Sequence, residues 1–127
     1  MTDEHRKIIR HLVDEYLPHF ESGEVPTMEP SGFFMRFLEK AEEDKILSDN
    51  YFVGIESLGG WQVLKDLELI GREKIDVIRV LLTAAIRSSE HLENYDNPES
   101  IWREYAQAGT FTAILRRLDQ LEKEDRE

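Results

Sequence analysis

Two arginines, Arg79 and Arg87, punctuate the most apolar stretch of this 127-residue chain, with Asp76 and Thr83 at related spacing and Glu90 and His91 just beyond. Helical steps place Asp76, Arg79, Thr83 and Arg87 within about 80° of one another, as one narrow polar stripe. A pair of guanidinium forks suits a bound carboxylate or phosphate, because each presents parallel N–H donors to two oxygens. Arg79, Arg87, Glu90 and His91, with Trp61 and Tyr105 as aromatic walls, therefore form the candidate ligand-binding set. The same stripe also reads as a structural seam. Charges on a buried helix are costly unless paired. Asp76 can meet Arg79 at i, i+3 and Thr83 can meet Arg87 at i, i+4, with Glu90 as a second partner for Arg87.

Other groupings carry less chemistry. His11, Glu15 and His19 recur every four residues, a spacing that could gather ligands for a borderline metal, but Pro18 interrupts the ridge. No His-Glu-x-x-His or paired Glu-x-x-His motif accompanies them. Gly54-Ile55-Glu56-Ser57-Leu58-Gly59 has one residue too many before the serine for a nucleophile elbow, and a helical chain lacks the sheet an elbow needs. Gly59-Gly60 lacks the Gly-Lys-Ser/Thr ending of a phosphate loop. Glu39, Glu42, Glu43 and Asp44 read as a solvated face, since catalytic carboxylates need desolvation or close pairing. Cysteine is absent, which removes disulfides, thiolate ligands and cysteine nucleophiles. The sequence assigns no catalytic residue, metal or cofactor.

The elements that must position the arginines follow from apolar periodicity. Ile8, Ile9, Leu12, Val13, Tyr16, Leu17 and Phe20 predict a first helix from about Asp3 to Leu17, ended or kinked by Pro18. Residues 21–30, with two prolines and a glycine, read as an internal linker. A second helix after Ser31 turns Phe33, Phe34, Phe37, Leu38 and Ala41 inward. Tyr51 to Ile55 has β character without an obvious partner; an extended loop, the first turn of a helix, or a short ribbon with Val25 to Met28 are its alternatives. Residues 57–70 carry helical spacing up to Gly71. Residues 73–88 predict a helix apolar over most of its girth and therefore central. Asn97-Pro98-Glu99 has the form of a helix start. Gly109 separates that helix from a last one, begun by Thr110, on which Asp119 with Lys123 and Glu122 with Arg126 are spaced as ion pairs. Residues 122–127 read as a frayed tail.

These elements predict one all-α domain over residues 1–127, an irregular bundle of about six helices. The length suits a single core, and the 40% hydrophobic content can fill it. Formal net charge is −11, with both halves acid-rich. Such a chain is a poor ligand for phosphate backbones or acidic lipid. With no apolar leader after the charged N-terminus and no run long enough to span a bilayer, the expectation is a cytoplasmic protein that binds neither nucleic acid nor membrane.

Two stretches, Leu82-Thr83-Ala84-Ala85-Ile86-Arg87 and Gly109-Thr110-Phe111-Thr112-Ala113-Ile114-Leu115-Arg116-Arg117-Leu118, resemble an uncharacterised prokaryotic family, domain of unknown function 6508. That family pairs a Leu-Thr-x-x-x-Arg helix end with a later glycine and an apolar helix ending in Arg-Leu. The resemblance covers residues 75–121, about a third of the chain. Where the family shows Arg-Phe and then Asp-Gly or Glu-Gly, this chain has Ser88 to Tyr95. The resemblance implies a fold and no activity.

The sequence thus predicts a non-enzymatic protein-interaction or regulatory module, binding a protein partner or a second copy of itself through its acidic surface or its aromatics. The alternative is an anionic-ligand binder or minor enzyme with an arginine-lined cleft. Acidic mimicry of nucleic acid over residues 39–56 is a special case of the first reading.

Overall fold

A computed structural model describes residues 2–88 and 98–126. The first helix, α1 (Asp3–Glu21), starts where the Thr2 hydroxyl accepts the His5 amide at 3.1 Å, with Asp3 and Glu4 in the first turn. It runs past Pro18, so of the two expectations there, an end or a kink, the end is not realised. Pro18 deprives only the Asp14 carbonyl of its helical donor, and both residues face solvent, where water can replace it. The extra turn carries Phe20 into an aromatic core, which favours continuing.

That core is built with α2 (Phe33–Glu43). Phe20 stacks on Phe111 at 5.2 Å and meets Phe33 and Phe37 edge-on at 5.2 and 5.4 Å, while Phe34 lies 4.9 Å from Trp102. Such pairs add about 0.5–1.5 kcal/mol each beyond the area they bury. Next come α3 (Tyr51–Ser57), a 3-10 turn (Trp61–Lys65) and α4 (Leu67–Ile70). Of the alternatives for 51–55 the helical one is realised, and no strand occurs among the described residues. Instead of pairing, this segment packs on the next long helix. Nor is 57–70 one helix. Gly59 and Gly60 both adopt positive φ, near 109° and 108°, which breaks the helical run, and Asp66 restarts it by accepting the Leu69 amide at 3.1 Å.

The central helix α5 (Ile75–Arg87) buries Ile78, Leu81, Leu82, Ala84, Ala85 and Ile86 against α3 and against the two helices that follow, α6 (Pro98–Ala108) and α7 (Thr110–Arg126). Each of its large aliphatic side chains contributes about 1.5–3 kcal/mol by leaving water. Gly54 allows α3 to lie on it closely, since a Cβ there would stand 2.7 Å from Val80 Cγ1. Then α6 (Pro98–Ala108) begins at the proline that the sequence places at a helix start, and Gly109, at φ 87°, turns the chain into α7 (Thr110–Arg126). Trp102 Nε1 donates to the Ile86 carbonyl at 2.9 Å and the Thr110 hydroxyl to the Leu64 carbonyl at 2.5 Å, both in the interior.

Among the described residues the count is seven α-helices and one 3-10 turn, an all-α bundle. No described helix is long and apolar enough to cross a membrane.

The broadest interface joins α1 to α7, and its edge is ionic. Arg10 reaches Asp119 at 2.5 Å and Glu122 at 3.1 Å, Arg6 reaches Asp125 at 2.5 Å, and the two pairs read from the sequence, Asp119 with Lys123 and Glu122 with Arg126, are each 3.1 Å long. Glu122 is only 3% exposed, and with it pinned between two arginines the segment expected to fray stays helical through Arg126. Burial would raise the Asp119 carboxyl, but hydrogen bonds from Arg10 and Lys123 outweigh it and hold that carboxyl below its ordinary range. The ionised form is therefore favoured in the folded state, and its stabilisation is present at neutral pH and fades as pH falls below about 4. An Asp119→Asn variant should melt lower than the parent at neutral pH, by an amount equivalent to about 1 kcal/mol. Circular dichroism melts should show that deficit shrinking toward pH 3; a deficit independent of pH would mean that the charge contributes nothing.

Candidate functional site

The polar stripe of α5 exists, but its partners are not those the spacing suggests. Arg79 turns to the loop after α2, where Nε donates to the Ile46 carbonyl at 2.8 Å and Nη2 to the carbonyls of Lys45 and Leu47 at 3.1 and 3.5 Å. Thr83, 1% exposed, accepts the Ser48 amide at 2.8 Å and donates to the Arg79 carbonyl at 2.7 Å. Arg87 reaches Glu42 on α2 at 3.4 Å, and its buried Nε has no hydrogen-bond partner among the described residues. Neither an Asp76–Arg79 nor a Thr83–Arg87 bond forms; the stripe instead fastens α5 to α2 and to the loop behind it.

That loop needs such support. Helix α2 ends with the Lys45 amide on the Glu42 carbonyl at 3.1 Å and the Ile46 amide on the Ala41 carbonyl at 3.2 Å. This is a Schellman ending, with Lys45 left-handed at φ 57° where glycine is the usual occupant. Ile46 and Ala41 are both buried, the apolar contact that accompanies such an ending. Two carbonyls freed by the turn, those of Lys45 and Ile46, are the ones Arg79 collects.

Beside the guanidinium, where α1, the loop and the start of α5 meet, lies a cavity of about 90 Å³. Ile8, Ile9, Ile46 and Ile75 wall it, with Lys45 and Arg79 among its charged lining. Arg87, Trp61 and Tyr105 are not part of it. Tyr105 is 5% exposed and belongs to the core. Trp61 is half-buried at the start of the 3-10 turn, 6.4 Å from Phe52. Glu90 and His91 lie outside the described residues. The candidate ligand set is thus distributed: Arg79 over the loop, Arg87 toward α2, Trp61 beside α3 and Tyr105 inside.

The remaining candidates are equally occupied. His19 Nδ1 lies 2.8 Å from Glu24 Oε1, and its ring stacks on Phe33 at 4.8 Å. No three metal-ligating side chains converge among the described residues. Ser57 donates to the Val53 carbonyl at 3.0 Å, as a helical serine does.

A surface that sequence reasoning missed sits on α3. Phe52 and Val53 are 40% and 63% exposed, and Asp49 and Glu56, one helical turn away on either side, are exposed as well. The only signal for it in the sequence is the apolar run Tyr51-Phe52-Val53, longer than one helix face can bury.

Because Arg79 serves three carbonyls, Arg79→Ala should cost about 2–3 kcal/mol, and Arg79→Lys should recover only part, since an ammonium lacks the fork. Thr83→Val should cost about 1–3 kcal/mol by leaving the Ser48 amide unpaired. Urea unfolding gives both magnitudes, and hydrogen exchange should report faster opening at Ser48 in each variant. No family model, curated protein or solved structure matches the chain.

Proposed function

We propose that the protein is a non-enzymatic interaction module that binds a protein partner through the outer face of α3. The observation that carries this reading is the exposure of Phe52 and Val53 beside the half-buried Trp61, with Asp49 and Glu56 at the margin. Interfaces concentrate binding energy in aromatic and aliphatic anchors surrounded by a polar rim. Here the rim is acidic, and the whole chain carries −11. Charge complementarity therefore selects a partner with apolar side chains framed by lysine or arginine, and long-range attraction speeds the encounter. A second copy of the chain would bring the same rim and the same net charge, so self-association is the weaker form of the proposal.

The cleft alternative has less support. Arg79 and Arg87 point to different partners, and Arg79 has two of its three nitrogens committed to the backbone. They do not form a joint clamp.

Two surface variants, Phe52→Ser and Val53→Asp, test the module reading. Cross-linked purification from native lysate should yield one stoichiometric partner, released at high salt, whose recovery falls at least tenfold in either variant while the melting temperature stays within a few degrees. Retention of the same partner by both variants would overturn the assignment of α3. Absence of any partner, together with a tightly held metabolite, would overturn the module itself.

A further inference from the structure

The cavity at the α1, loop and α5 junction has a composition that the α3 surface does not explain. Four isoleucines form its walls, and isoleucine is stiff at its first side-chain torsion, so the walls cannot swing inward to close the gap. The pocket opens to solvent on its charged side, so a guest with an apolar tail and a polar head matches both parts of its lining. The space, about 90 Å³, suits a branched tail of about four or five carbons.

The charged lining chooses the head group. Asp44 is engaged by Lys40 at 3.3 Å. Lys45 has no ion-pair or hydrogen-bond partner for its ammonium among the described residues, and Arg79 leaves Nη1 unengaged after spending Nε and Nη2 on the loop. His5, also in the lining, makes no side-chain hydrogen bond among the described residues. Asp76 is the one uncompensated carboxylate that opposes them. With Asp44 paired to Lys40, two cationic side chains, Lys45 and Arg79, face the one carboxylate of Asp76 at this spot, in a protein whose surface is otherwise strongly acidic.

We propose that this cavity is a binding site for a small branched monocarboxylate, its tail among Ile8, Ile9, Ile46 and Ile75 and its carboxylate at Lys45 and the free Nη1 of Arg79. Occupancy ties the α2 ending to α5 a second time, through the ligand, and so stabilises the loop. The site is independent of the α3 surface, and either can fail without the other.

The probes are 3-methylbutanoate, 3-methylbutan-1-ol and 3-methylbutan-1-amine, followed by isoleucine methyl NMR and by titration. The carboxylate should shift the methyl resonances of Ile8, Ile9, Ile46 and Ile75 in a saturable manner, the alcohol should bind about tenfold more weakly, and the amine more weakly still. Ile8→Phe fills the space and should abolish binding while holding or raising the melting temperature; Ile75→Phe does the same from the opposite wall if the first variant folds poorly. Lys45→Met should narrow the advantage of the carboxylate over the alcohol severalfold, leaving the share that Arg79 supplies. Absence of saturable shifts, equal binding of amine and carboxylate, or undiminished binding in a folded cavity-filled variant would each overturn the proposal.

Discussion

A helix buried on several sides must still satisfy the polar side chains it carries, and α5 does so through a loop rather than through another helix. Thr83 and Arg79 engage the backbone of residues 45–48 with one accepted amide and three donated bonds to carbonyls. A buried polar group left alone would cost about 1–3 kcal/mol, so these bonds are conditions for burying α5 at all. They also fix where the chain leaves α2 and in what direction it enters α3. Helix α3 then lies on α5 with Gly54 against Val80, and its opposite face, with Phe52 and Val53, is turned to solvent by default. The same loop supplies Ile46 and Lys45 to the cavity. Both candidate binding features thus inherit their geometry from one side-chain-to-backbone junction.

Charge is distributed with the same consequence. The arginines of α1 are spent inward, on α7: Arg6 and Arg10 are half-buried and held by Asp119, Glu122 and Asp125. For Arg10, burial works against the cation, yet the Asp119 bond and the neighbouring carboxylates more than compensate and raise its affinity for the proton. Cations used to close the bundle are not available to balance its outer surface. Exposed Glu39, Glu42, Glu43, Asp49 and Glu56 therefore set the field on the α2 and α3 side, and that field reaches about a Debye length into solution.

Much of this architecture is legible in the residue pattern, and the exceptions share a cause. The girth of α5, the proline start of α6, the glycine between α6 and α7, and the two ion pairs along α7 are local signals that tertiary context reinforces. Pro18 misleads because a helix rule prices the lost donor without knowing that its carbonyl faces water and that Phe20, two residues on, is buried against Phe111. Tyr51 to Ile55 leaves its state open between loop, helix turn and ribbon because β propensity reflects fit to a half-buried surface, which the flank of α5 also offers. The stripe on α5 is visible as a stripe, but its partners are carbonyls of a loop, and backbone groups leave no mark in a pattern of side chains. Lysine at the left-handed position of the α2 ending conceals that turn further, since glycine or asparagine is the residue a reader looks for.

The exposed face of α3 is not accounted for by stability. A seven-residue helix is too short to persist alone and depends on its contacts with α5, to which the fully buried Ile55 contributes most. Phe52 and Val53 are nonetheless 40% and 63% exposed, and aromatic and β-branched residues are weaker helix formers than the alanine, glutamate or lysine that would serve on a solvated face. Their ordered exposure also carries an aggregation liability that acidic neighbours only moderate. Helix propensity and solvation would favour a polar residue at Val53 above all, so the valine there is a local conflict with the fold. Such conflicts mark places where a chain answers to something other than its own core, and this is the reason the proposed partner is assigned to the α3 face.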